Sequence, residues 1–124
     1  MPSIRIDRRH AAAAVTLRAG DVDATFLPEL GMVGAGLRWR DQEFVVVRGG
    51  TRAIASRHTS GLPLLHPWAN RLSGPRYEQD GRAVTLREGA PGVRLEEHGL
   101  PMHGLLGGSR DWRVEPMESS ASSP

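Results

Sequence analysis

The 124-residue chain is long enough for one domain with a modest core, and 39% hydrophobic content with 15 Gly and 9 Pro points to a turn-rich, mainly β chain with little room for long helices. Its 16 basic residues are all arginine and meet 14 acidic ones, so the formal charge is only +2; the pI near 10.3 reflects the absence of lysine and cysteine and a single tyrosine. The arginines are spread along the chain with only Arg8-Arg9 adjacent, which disfavours a nucleic-acid partner, and the lack of cysteine excludes disulfides and thiolate chemistry.

From the N-terminus, "MPSIRIDRRHAAAAVTLRAG" contains neither a signal-length apolar run nor a membrane span, so a soluble, cytoplasmic protein with no membrane partner is expected. The four alanines at 11–14 favour helix locally but cannot sustain one alone. Alternation from Val15 to Leu27, broken at Gly20-Asp21, predicts two short strands and a turn. A second hairpin follows, with a strand over Val33–Trp39, a turn at Asp41-Gln42 and a β-branched strand over Glu43–Val47. Residues 48–62 have no strong period and read as a loop. In "RYEQDGRAVTLRE", Asp80-Gly81 between alternating runs is the preferred type I′ hairpin turn. The remainder is loop-rich with one short strand expected at Trp112–Val114, and 115–124 reads as a disordered, low-complexity tail. No internal repeat is evident.

Several chemistries can be weighed from these residues. His98 and His103 follow Glu96 and Glu97, all potential zinc ligands, but the five-residue step contains Gly99 and Pro101 and cannot place both rings on one helical face; solvated loop histidines and no metal are expected. "GMVGAG" and "HGLLGGS" lack a dinucleotide fingerprint, and a P-loop needs a lysine, so no cofactor is expected; Gly34 and Gly36 instead mark close backbone approach in a strand. Ser56, His58 and Ser60 show no nucleophile elbow. There remain Asn70-Arg71 and "MHG" at 102–104. A guanidinium fork, an amide and an imidazole together offer the donors and acceptors that a polyhydroxylated ligand requires. Trp68 supplies either a pocket wall or a core anchor, and Arg71 serves equally as a buried ion-pair partner of one of the glutamates.

With those residues in view, "GLPLLHPWANRLSGPRYEQDGRAVTL" resembles the aldose 1-epimerase (galactose mutarotase) family, whose members carry a Gly-x-Pro-x-x-x-Pro-Trp-x-Asn-Arg run, then a Gly and an aromatic before a hairpin. "MHGLLGGSRDW" is similar to that family's His-Gly followed by a Trp strand, and "VTLRAGDVDATFLPELGMVGAGLRWRDQEFVV" fits its opening strands, so the likeness spans most of 15–114. The resemblance implies that 1–114 is the N-terminal portion of a galactose mutarotase-like β-supersandwich built of antiparallel strands and hairpins. It implies interconversion of the α and β anomers of aldoses such as galactose or glucose. A carboxylate takes the anomeric proton, a histidine protonates the ring oxygen, and the opened ring turns before closing. Asn70 and Arg71 match the family's sugar-binding pair and His103 its substrate-positioning histidine. The family's acid and base lie in a later half that has no counterpart here; His66, His98, Glu96 and Glu97 do not occupy those positions, so no catalytic residue is assigned to this chain. A truncated epimerase, inactive alone, is the leading expectation, with a non-catalytic carbohydrate-binding module as the alternative. Half a sandwich would also expose sheet edges and an apolar face, so self-association or a complementing chain is expected.

Overall fold

Strand pairing begins where the sequence showed least. The computed structural model describes residues 3–7, 13–55 and 60–115, and its first strand, β1, is Ser3–Asp7. It pairs antiparallel with β2, Ala14–Ala19, from Ser3 opposite Arg18 to Asp7 opposite Ala14. Ala14, which on local propensity favours helix, is thus a strand residue and is buried; ladder pairing and burial override propensity at a single alanine. The turn at Gly20-Asp21 leads into β3, Val22–Leu27, and a 3-10 turn over Pro28–Leu30 leads into β4, Val33–Trp39. With β5, Gln42–Glu43, these form a five-stranded antiparallel sheet in the order β1-β2-β3-β4-β5. A separate two-stranded hairpin pairs β6, Arg76–Gln79, with β7, Arg82–Thr85. The protein is therefore mainly β, with two antiparallel sheets.

The β6-β7 turn is as predicted: Asp80 and Gly81 both have positive φ, 51° and 72°, the pair of conformations that a type I′ turn demands. Four other expectations need correction. The turn before β5 is Arg40-Asp41, one residue early, with Arg40 at φ 53°. The strand expected over Glu43–Val47 stops at Glu43, because the Glu43 carboxylate itself accepts the N–H groups of Leu37 (2.8 Å) and Val45 (3.1 Å), taking the place of ladder carbonyls. Those amides hold Glu43 below the ordinary carboxylate range against the opposing effect of burial. No strand forms at Trp112–Val114.

The fourth correction is a helix, α1, Gly50–Ala55, inside the expected loop. Its Ile54 joins Ala14, Leu27 and Val33 in the buried core. Six residues are too few to show a helical period, and what holds α1 is this packing rather than propensity. Beyond it, Leu62 exchanges both backbone hydrogen bonds with Gly34 at 2.8 Å, and a Cβ on Gly34 would meet Leu62 Cβ at 3.0 Å. Gly34 thus sits at a close approach, as the sequence suggested; at Gly36 a Cβ would make only ordinary contacts.

Strand alternation divides the large sheet into unlike faces. Thr16, Arg18, Asp23 and Thr25 share one, with Thr16 Oγ1 3.0 Å from Thr25 Oγ1 and Arg18 forking onto Asp23 at 2.6 and 2.7 Å. Leu17, Ala19, Val22, Ala24, Leu37 and Trp39 share the other, where Leu17, Val22 and Trp39 stay exposed. No described helix is long and apolar enough to cross a membrane. The tail at 116–124 and Ser56 and His58 lie outside the described residues.

Candidate functional site

The segments carrying the singled-out residues are far apart in sequence and meet in a short antiparallel clamp. Leu72 donates its N–H to the Pro101 carbonyl at 2.8 Å, Arg71 forms a β-bridge with Met102, and His103 donates its N–H to the Asn70 carbonyl at 2.8 Å. The Asn70 N–H returns to His103 Nδ1 at 3.2 Å. Asn70 and His103 both adopt left-handed backbone, φ 60° and 65°, so the chain turns away on each side of the pair. Asparagine and histidine are among the non-glycine residues that tolerate this region best. Asn70, Arg71 and His103 are therefore brought together by the backbone.

The bond to Nδ1 has a chemical consequence. A neutral imidazole whose Nδ1 accepts must carry its proton on Nε2, so His103 offers an N–H donor on its far side. Next along, Gly104 has φ 71°, and any Cβ there would collide with the His66 carbonyl, which accepts the N–H groups of Leu105 (2.7 Å) and Leu106 (3.3 Å). The glycine of "MHG" is thus a packing requirement of the clamp.

Arg71 leans on Glu96, with Nη1 3.3 Å from Oε2; Arg71 is 51% exposed and Glu96 5%. Arg71 therefore pairs with a glutamate, but only the glutamate is buried; the arginine side of the expected buried pair stays open to solvent. Glu96 Oε1 accepts the N–H groups of His98 (2.8 Å) and Leu100 (3.0 Å), closing the turn that delivers Pro101 to the clamp. Burial acts to raise the Glu96 pKa, but those amides and the His98 and Arg71 charges outweigh it and hold the carboxyl below its ordinary range. Glu96, Glu97 and His98 have potential ligand atoms within 4.8 Å of one another, a group that does not include His103. With Oε1 engaged by two amides and Oε2 facing a guanidinium, Glu96 is poorly disposed toward a cation.

Trp68 stands on Tyr77, ring centroids 5.7 Å apart and planes at 60°, and its Nε1 is buried without an acceptor among the described residues. It anchors the hairpin against the clamp segment and does not line the cleft beside it. That cleft, of about 150 Å³, lies between the core and the clamp, walled by Leu30, Val33, Ile54, Pro63 and Leu65. Ser60, His103, Arg94 and Gly107-Gly108 complete it. His103 is the residue shared by clamp and cleft; Asn70 and Arg71 flank it from the exposed side. Arg94, one arginine among many in the sequence, stands out through position alone: its carbonyl accepts the Met102 N–H at 2.9 Å, which ties it to the clamp. A second hollow, on the other side of α1, is lined by Thr25, Gly36 and Glu43, whose carboxylate is already committed to backbone.

No family model and no curated protein sequence matches the chain.

Proposed function

We propose that this chain is the sugar-recognising part of an aldose 1-epimerase-like protein, with Asn70, Arg71 and His103 as its sugar contacts. The observation that carries the reading is the reciprocal pairing of Asn70 with His103, which brings the residues that bear an amide, a guanidinium and an imidazole together on two adjoining segments. Fixed, differently directed donors with one amide acceptor suit vicinal hydroxyls and a ring oxygen. In an epimerase these contacts would hold the pyranose while an acid and a base drawn from outside this chain open and close the ring.

A non-catalytic carbohydrate-binding module is the second reading, and Glu96 favours it. The carboxylate nearest the clamp has Oε1 occupied by two backbone amides and Oε2 beside Arg71, so both of its oxygens are engaged within the chain rather than presented as a base to a ligand. Polarimetry of freshly dissolved α-galactose, together with NMR titration of the chain by galactose, tests both. Saturable binding lost in Arg71→Ala and His103→Ala supports recognition; rate acceleration by the isolated chain would place an acid and a base within it. A folded protein that neither binds nor accelerates would sink both readings.

A further inference from the structure

We infer that the cleft beside the clamp takes a hydroxylated six-membered ring bearing an anionic substituent, a carboxylate or a phosphate, with Arg94 as the partner of that charge. The ring rests on the sugar reading above; the charge rests on Arg94 alone.

Every other arginine whose side chain is described is exposed, whereas Arg94 is half-buried. Arg18, Arg38, Arg40 and Arg71 each stand beside a carboxylate although water already solvates them. Arg94 has no acidic partner among the described residues, and no aspartate or glutamate lines the cleft it borders. A guanidinium taken partly out of water without a counter-charge is costly, and an anion delivered by a ligand removes that cost. The planar fork matches a carboxylate or phosphate with two parallel N–H donors.

The cleft also sets the size of what carries the anion. Its volume of about 150 Å³ is that of a cavity known to admit one benzene-sized ring. Leu30, Val33, Ile54 and Leu65 offer an apolar wall to the C–H face of such a ring, while Ser60 and His103 offer polar groups to its hydroxyls. A free inorganic anion would leave that wall uncovered.

The test is calorimetric titration of the full chain at low ionic strength with glucose, glucuronate, glucose 6-phosphate and inorganic phosphate. One of the two anionic sugars is expected to bind at least about tenfold more tightly than glucose, and which one does so separates the carboxylate from the phosphate. Arg94→Gln should bring that ligand down to the affinity the unmodified chain has for glucose, and be partly rescued by Arg94→Lys. If Arg94→Gln does not fold, the affinity ratio in the unmodified chain and in Arg94→Lys decides. Equal affinities for glucose and both anionic sugars would overturn the charge assignment while leaving the sugar reading intact. Phosphate binding as tightly as glucose 6-phosphate, with no glucose binding, would overturn the ring and the sugar reading together. If none of the four binds, both are overturned.

Discussion

Asn70 and His103 hold each other by two hydrogen bonds, His103 N–H to the Asn70 carbonyl and Asn70 N–H to His103 Nδ1. Both residues have left-handed backbone, so the pair is a point where two loops are locked in register and the histidine ring is oriented by the chain it faces. Asn70→Gly and Asn70→Val separate the two roles of the asparagine. Glycine adopts φ 60° freely and should keep the clamp while losing the amide, so sugar binding falls with little change in thermal midpoint. Valine, β-branched at positive φ, should cost about 1–3 kcal/mol in urea denaturation. Equal stability of the two variants would contradict this account.

Gly104 and Gly107 form a matched pair for testing the packing of the clamp. A Cβ on Gly104 meets the His66 carbonyl, whereas one on Gly107 meets nothing within 4 Å. Gly104→Ala should lower stability by roughly 2 kcal/mol or more, and Gly107→Ala should stay within about 0.5 kcal/mol of the parent. Urea midpoints read at a common m-value give the comparison directly.

Acid should loosen the clamp through Glu96. Its folded-state pKa lies below the ordinary carboxylate value, so the stability it contributes is present above that value and is lost as pH falls through the folded pKa. Denaturation midpoints followed from about pH 6 to about pH 2.5 should fall below about pH 4.3, and Glu96→Gln should flatten part of that fall. Glu43, depressed by the Leu37 and Val45 amides, contributes a second part with the same sign, removable by Glu43→Gln. A slope unchanged in both variants would show that other carboxylates govern acid sensitivity.

The apolar face of the large sheet predicts self-association. Trp39 is 46% exposed and Leu17 42%, on the face they share with Val22, and Phe44, 58% exposed, lies just beyond β5 with its N–H donated to the Leu37 carbonyl. Leu17→Lys should shift the chain toward monomer in sedimentation velocity at matched concentration, with a stability change within about 0.5 kcal/mol. Trp39→Lys should do the same and additionally lose the stacking of Arg40, whose guanidinium carbon lies 4.8 Å from the ring centroid, a contact worth about 0.5–1 kcal/mol. Association that is indifferent to both changes would locate the contact elsewhere.

Local chemistry is legible along the chain without its fold. Asp80-Gly81 specifies its turn because both residues accept positive φ, and the alternation of β2 and β3 carries its own period, so both hairpins could be read without a partner in view. Strand β1, helix α1 and the early end of β5 were decided by contacts between distant residues: a ladder onto β2, Ile54 against Leu27, and a glutamate side chain standing in for backbone. The site divides in the same way. Asn70, Arg71 and His103 carry a recognisable pattern of donors and acceptors, but the pairing of residues 33 positions apart that engages His103 Nδ1 belongs to the tertiary structure. Arg94 has no pattern to be read at all. A guanidinium's chemistry is the same at every arginine, and only the folded chain determines which one is withdrawn from water without a carboxylate beside it.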